Sequence, residues 1–347
     1  MKIAIIGGAG FIGSHLARAY LNAGHDVFII DSLINGSLKS VDGRARFYKL
    51  DIRDSKLQTI LQRERPDVVS HHAVQREQQS FPLNEVSLFD ADVHIRGLIN
   101  VLDGCVGASV GKIIFASGGD SLYGHLMHAH AGHIVANEQT PLCPQRPSDI
   151  SKVAGEWYVR YYTRHFGLAH TILRYASVYG EIDISQLQHP LSYFVHMLLE
   201  ERRPIIRGVA DEIHDHIFID DVVAANLKVL ACSRSQTMHI SSGQGYTFNQ
   251  LYQAVRLLLR TGIEPVYISN TLVEASSCIL DNTLARHELK WQPEIDFTRG
   301  MQLAVERLKE VKRIKEVEPS KEHVEATTHV KSVKNILVRQ PNLIGVR

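Results

Sequence analysis

The chain has little cysteine. Cys105, Cys143, Cys232 and Cys278 are the only four in 347 residues, and no C-x-x-C pair occurs. That spacing excludes zinc ribbons and disulfide-stapled scaffolds and fits a reducing compartment, so a cytoplasmic location is expected. There is no surplus of charge either, with 38 Lys and Arg against 37 Asp and Glu. A dedicated nucleic-acid binder carries a basic excess, so no nucleic-acid partner is expected. Long apolar runs are missing too. None reaches the ~18 residues of a membrane-spanning helix, and no membrane partner is expected. Met1-Lys2 and the apolar stretch behind them are broken by glycines at 7, 8, 10 and 13, so they read as a buried first strand rather than a secretory leader. What the chain does have is apolar residues, at 44 %, enough for a large core, and an unusual 19 histidines. At roughly 150 residues per domain, the length suggests one large domain or two interlocked ones.

Short apolar runs ending in glycine or polar residues alternate with helical spacing. Residues 2–6, 26–30, 67–70, 112–116 and 170–174 read as buried strands, and 14–23 as a helix stopped by Gly24. This alternation predicts an α/β fold: a Rossmann doubly wound parallel sheet with a smaller C-terminal α/β substrate domain. The expected division is 1–176 for the first unit, with a return strand near 237–242, then 177–310, then an extension over 311–347. Helices are expected near 191–201, 220–231, 247–261 and 299–316. The stretch from Val311 to Arg347 holds 8 Lys and Arg against 4 Glu. It reads either as a frayed tail or as a segment packing on the body or on a partner.

Gly7, Gly10 and Gly13 form G-x-x-G-x-x-G between a strand and a helix, with Phe11 and Ile12 inside the motif. Such a loop lets a pyrophosphate approach backbone N–H groups at a helix N-terminus. Asp31 ends the second strand, where a carboxylate accepts hydrogen bonds from an adenosine ribose and repels a 2′-phosphate. NAD is therefore expected rather than NADP.

With GGAGFIGSHL, Asp31, Asp51-Ile52-Arg53-Asp54, Ala73-Val74-Gln75, Phe115–Gly124, Ser151–Glu156, Leu173–Gly180, Ile217–Val223 and Ala285–Pro293, residues 1–310 resemble the extended short-chain dehydrogenase/reductases. The branch they are most similar to is the UDP-glucose 4-epimerase-like NAD-dependent epimerases and dehydratases. The resemblance implies NAD held by Gly7, Gly10, Phe11, Ile12, Gly13, Asp31, Asn35, Asp51, Ile52, Ala73, Val74 and Lys152. It also implies a nucleotide sugar, UDP- or dTDP-linked, as substrate, and a homodimer built on helices near 85–104 and 149–166.

The substrate side departs from that family. Its chemistry relies on Tyr-x-x-x-Lys, in which Lys⁺ lowers the phenol pKa so that the phenolate takes a hydroxyl proton. Here Lys152 is present but Ser148 stands in the tyrosine position, with Asp149 beside it. Gly119 stands where the family has a serine or threonine. Ser117 and Ser121 are the nearby hydroxyls, and each is either a catalytic substitute or an ordinary strand-end donor. Ser177 replaces a common asparagine, and His214-Asp215-His216 replaces R-D-F, whose arginine clamps the diphosphate. No second diphosphate arginine follows at 270–273, and His94 replaces a common helix asparagine. His214 and His216 are candidates for a replacement acid or base, or for packing, and Tyr175 is a candidate substitute base. His125, His128, His130 and His133 crowd one loop, as a polar surface loop or as metal ligands if it folds back. No metal is assigned.

Two functions fit this pattern. One is an NAD-dependent nucleotide-sugar epimerase or dehydratase that works by transient hydride transfer with a non-standard proton acceptor: Ser148 in place of the tyrosine, a water in the vacated space, or a histidine. The other is a catalytically silent NAD-binding paralogue with a regulatory or scaffolding role.

Overall fold

The computed structural model describes residues 1–74, 83–124, 134–180, 190–207, 212–268 and 278–317. In chain order the first half holds β1 (Lys2–Ile6), α1 (Phe11–Asn22), β2 (Asp26–Asp31), β3 (Arg46–Lys49), α2 (Lys56–Glu64), β4 (Val68–His71), α3 (Leu83–Ala91), a π-helical turn (Asp92–Arg96), α4 (Gly97–Gly107), β5 (Lys112–Ser117), β6 (Ile134–Ala136) and α5 (Pro147–Phe166). The second half holds β7 (Ala169–Tyr175), β8 (Ser177–Tyr179), α6 (Pro190–Leu199), β9 (Ile205–Arg207), β10 (Ile213–Phe218), α7 (Ile219–Val229), β11 (Gln236–Ile240), β12 (Gly245–Thr247), α8 (Phe248–Leu259), β13 (Val266–Ile268), β14 (Cys278–Leu280), α9 (Thr283–Leu289) and α10 (Phe297–Val317).

Seven parallel strands form the main sheet in the order β11-β7-β5-β4-β1-β2-β3. The order reverses at β1, which has β4 on one side and β2 on the other. In such sheets the crevice beyond the carboxyl ends of these strands is where a ligand binds. The strands read as continuous apolar runs because both faces are covered. Ile3, Ile5 and Ile29 enter the core on one face, and Ala4, Ile6, Phe28 and Ile30 enter the core on the other. The expected return strand is β11, paired with β7.

A second sheet runs β12-β10-β14-β6, with β8 also pairing β10. Residues on both sides of 176 contribute to each sheet: β6 belongs to the second, and β11 to the first. The sequence reading did not foresee this sheet, whose strands are mostly three residues long. It also missed β3, a half-exposed edge strand with no apolar run. The histidine-rich loop 125–133, residues 270–273 and the extension beyond 317 lie outside the described residues. Among the described residues no helix is long and apolar enough to cross a membrane, and the four cysteines carry free thiols.

A buried ion pair fastens α5 to the sheet. The Arg174 guanidinium on β7 reaches Glu156 through Nε at 2.8 Å and Nη2 at 2.7 Å. Ser117 Oγ at the end of β5 donates to the same carboxylate at 2.7 Å. Glu156 is fully buried and Arg174 nearly so. Removing one partner leaves the other charge buried and uncompensated. Arg174→Leu is expected to cost about 3–5 kcal/mol in urea unfolding; a cost under about 1 kcal/mol, the range of an exposed pair, contradicts this role.

Candidate active site

The β1–α1 loop is shaped by two glycines that the backbone itself requires. Gly7 has φ +82°, and a Cβ there would lie 2.5 Å from Ala73 N, where the end of β4 crosses. A Cβ on Gly13 would lie 2.3 Å from Gly7 O. Gly10 differs, because a Cβ there would meet only Gly7 O at 3.5 Å, an ordinary contact. The fold can therefore accept a side chain at 10, and the open side of that residue faces the crevice. Gly10 caps α1 with no side-chain hydrogen bond, so the helix N-terminus keeps its N–H groups for an anion.

The cleft over this loop is lined by Gly7, Gly10, Phe11, Ile12, Gly13, Asp31, Asn35, Asp51, Ile52, Ala73 and Val74. Every cofactor candidate from the sequence except Lys152 is thus in one place. Gly36 and Val93 also line it and were not singled out; they come from different elements, which no local motif joins. The buried Asp31 carboxylate accepts from Ala9 N at 2.9 Å and Leu33 N at 2.8 Å, one bond per oxygen. Each oxygen keeps a lone pair for a ribose diol. Asn35 Nδ2 donates to Val74 O at 3.4 Å across the cleft mouth. Asp51 is held by Arg53 at 2.7 Å, whose hydrogen bonds keep its carboxyl below the usual range.

Lys152 stands at the other end of the crevice. Its Nζ donates to Ala116 O at 2.8 Å and lies 5.2 Å from the Phe115 ring centroid. Burial lowers its pKa to about 8, against the charges of Asp90, Glu156 and Asp149. Asp90 in turn accepts from Ser151 Oγ at 2.5 Å and His94 Nδ1 at 2.8 Å. His94 is therefore a buried partner of Asp90, within the π-helical turn. Ser148 is half-buried in the first turn of α5, four residues before Lys152 and so on the same helical face.

The other candidate hydroxyls are committed elsewhere. Ser117 donates to Glu156, and Ser121 Oγ donates to Asp149 at 2.8 Å. A Cβ on Gly119 would fall 2.0 Å from Tyr175 O, so this backbone has no room for a serine there. Tyr175 OH pairs with Asn226 in the core, and burial pushes its phenol well up. Burial likewise raises Tyr123, to about 12, where its hydroxyl joins Arg174 and His239.

On the second sheet His216 pairs in register with Ser177. The His216 ring lies edge-on to Tyr179 at 6.3 Å between centroids and tilted on Phe297 at 6.1 Å. His214, on the same face of β10, bonds through Nδ1 to Asp120 Oδ2 at 2.8 Å. Burial alone would lower this histidine; the hydrogen bond and charge of Asp120, with Glu212 behind it, outweigh burial and raise it. Asp215 between them points to the opposite face and accepts from Ser242 N, Ser242 Oγ and Gly243 N. Burial lifts its pKa to about 7. Asp120 was not among the sequence candidates. Its signal was a carboxylate just after a strand end, which only the pairing of distant segments makes meaningful. Among the described residues no group of three or more His, Cys, Asp or Glu gathers to hold a metal.

A parallel sheet that reverses at β1, a glycine turn opening a helix and a carboxylate closing β2 define a dinucleotide-binding enzyme fold. Residues 3–241 match the NAD dependent epimerase/dehydratase family, and the chain belongs to it. The crystal structure of a UDP-glucose 4-epimerase from Thermotoga maritima, solved with UDP-glucose, superposes with a TM-score of 0.83 at 31 % identity, covering 90 % of this chain and 99 % of that one. A UDP-glucose 4-epimerase from Thermus thermophilus, in complex with NAD, gives 0.81 at 26 % identity, covering 89 % of this chain and 99 % of that one. A UDP-glucose 4-epimerase of Mycolicibacterium smegmatis is 29 % identical over 88 % of this chain and 98 % of its own length. The family's cofactor is NAD, and the cradle that a Cβ at Gly10 would fill, together with Asp31, fits it.

Gly10→Ala should fold with a near-normal melting temperature yet bind NAD at least about tenfold more weakly by calorimetry. Gly13→Ala should lose stability as well. Unchanged affinity in Gly10→Ala contradicts the reading of the loop.

Proposed function

We propose that the protein is an NAD-dependent nucleotide-sugar epimerase, acting on a UDP- or dTDP-linked sugar with a proton acceptor other than the family's tyrosine. The observation that carries this is the dinucleotide cradle together with a half-buried Lys152 at the carboxyl end of β5. The similarity to an epimerase solved with UDP-glucose supports the substrate class. Bound NAD supplies reversible removal and return of a carbon-bound hydrogen, which inverts the carbinol when the sugar presents its other face.

The chain's own residues bind, orient and move protons. Asp31 takes the adenosine ribose diol, and the N-terminus of α1 takes the pyrophosphate. Lys152, locked on Ala116 O, presents its remaining donors to the nicotinamide ribose. Ser148 puts a short hydroxyl on the same helical face, where the family has a phenol. A serine hydroxyl is a weak base, so the acceptor is a neighbouring group.

A homodimer in a reducing, cytoplasmic compartment completes the reading. The outer face of α5 exposes Ile150 at 51 %, Trp157 at 66 %, Tyr161 at 50 % and Phe166 at 52 %. Leu88 on the adjacent α3 is 76 % exposed. An apolar stripe of this kind across two packed helices suits a second copy of itself.

Incubating the protein with NAD and UDP-glucose, with chromatography of the nucleotide sugars, should yield UDP-galactose. No conversion of any UDP- or dTDP-hexose in a panel contradicts the proposal. Sedimentation should give a dimer, and Trp157→Glu with Tyr161→Glu should give a folded monomer; an unchanged sedimentation coefficient contradicts the interface.

A further inference from the structure

We propose that Asp90, on α3, is the counter-ion of Lys152, a positioning residue that holds the ammonium for the nicotinamide ribose; this rests on the placement of Lys152 at that ribose proposed above. Lys152 is half-buried, and among the described residues its one hydrogen bond goes to a neutral carbonyl, Ala116 O at 2.8 Å. That bond directs the ammonium but does not answer its charge. A charge drawn out of water is costly unless an opposite charge stands near it.

Three carboxylates act on Lys152: Asp90, Glu156 and Asp149. Two of them are already matched by guanidinium groups. Glu156 is bonded by Arg174 and Arg160, and Asp149 by Arg146 Nε at 2.9 Å. Asp90 is different. It is buried, and its partners are the Ser151 hydroxyl at 2.5 Å and His94 Nδ1 at 2.8 Å. Among the described residues it pairs with no lysine or arginine. Ser151 directly precedes Lys152, so its bond brings the Asp90 carboxylate to the stretch of α5 from which the lysine projects. The π-helical turn Asp92–Arg96 brings the His94 ring back onto Asp90, four residues earlier. That turn is fixed from the cofactor side as well: Val93 lines the cleft, and Arg53 joins Asp92 to Asp51, each at 2.7 Å.

Burial alone would raise Asp90; the bonds from His94 and Ser151 and the charge of Lys152 outweigh it and hold the carboxyl below its usual range. Asp90 is therefore an anion wherever Lys152 is a cation. Burial lowers Lys152 to about 8, and Asp90 opposes that fall more than Glu156 or Asp149 does. His71 and His72 face the lysine from the end of β4. Burial holds His71 well below its ordinary value and His72 at about 3, so neither adds charge near neutral pH. An ammonium has three donors, one for Ala116 O and two for the ribose hydroxyls; the free amine keeps only one for the ribose. NAD is thus held best below the Lys152 midpoint and more weakly as pH rises through it. Removing the Asp90 charge lowers the midpoint and brings that loss to lower pH.

The test uses the full-length protein labelled with ¹³Cε-lysine, with Lys152 assigned by its loss in Lys152→Met. Asp90→Asn keeps the shape and both bonds, because the amide oxygen accepts from His94 and the amide N–H donates to Ser151 Oγ. Its Lys152 titration should move to lower pH by about one pH unit. Asp90→Ser, also neutral, should move it the same way. Ser151→Ala removes one bond and keeps the carboxylate, and should leave the midpoint near that of wild type. By calorimetry at a pH of about 8, Asp90→Asn should bind NAD roughly fivefold more weakly than wild type, and the difference should shrink at lower pH. A midpoint that stays put in both Asp90 variants, or one that moves as far in Ser151→Ala, overturns the counter-ion role alone. Unchanged NAD affinity in Lys152→Met overturns the placement of Lys152 at the ribose, and this inference with it.

Discussion

The Glu156–Arg174 ion pair sets the position of nearly everything at the site. Helix α5 carries Ser148, Asp149, Lys152 and Glu156 along two turns, and its register against the sheet decides where each group falls. Glu156 is bonded by Arg174 from β7 and by Ser117 from β5, the two strands that α5 covers. Lys152, one turn earlier, then falls on the Ala116 carbonyl. A charge pair taken out of water gains stability only when its geometry and remaining hydrogen bonds are complete. Here they are complete, with Arg160 adding a fourth donor at 3.0 Å. The pair therefore serves registry as much as stability: sliding α5 would strand a buried charge.

The same network explains why Ser117 and Tyr123 are poor acids or bases. Ser117 is an anchor of Glu156, and Tyr123 passes the Arg174 contact on to His239. These residues share motifs with the active corner because they build it. Ser121 is intermediate, a tie between the Asp120 turn and α5. Lys152 keeps donors beyond its one bond to Ala116 O.

The cofactor half was legible in the sequence because its parts are local. Gly7 to Gly13 form one loop, Asp31 ends the next strand, and each reads by spacing alone. The structure adds that Gly7 and Gly13 are demanded by the backbone, whereas Gly10 is free to be glycine for a ligand's sake. The substrate half was legible only as a set of departures. His214, His216 and Ser177 could be named, but the Asp120 contact could not, because it joins residues 94 positions apart. The short strands β6, β8, β12 and β14 escaped notice for the same reason. Three residues carry too little periodicity to announce a strand, and their stability comes from the partners they find. The histidine surplus divides accordingly: His94 and His239 are buried structural partners, and His214 is held by the Asp120 carboxylate.

The most direct test of the account is a crystal structure of the full-length protein with NAD and UDP-glucose. The account predicts the nicotinamide ribose on Lys152, the adenosine ribose on Asp31, and a nucleotide sugar beside the Ser148–Lys152 face of α5. A dinucleotide beside an empty second pocket, or an adenosine ribose away from Asp31, contradicts it.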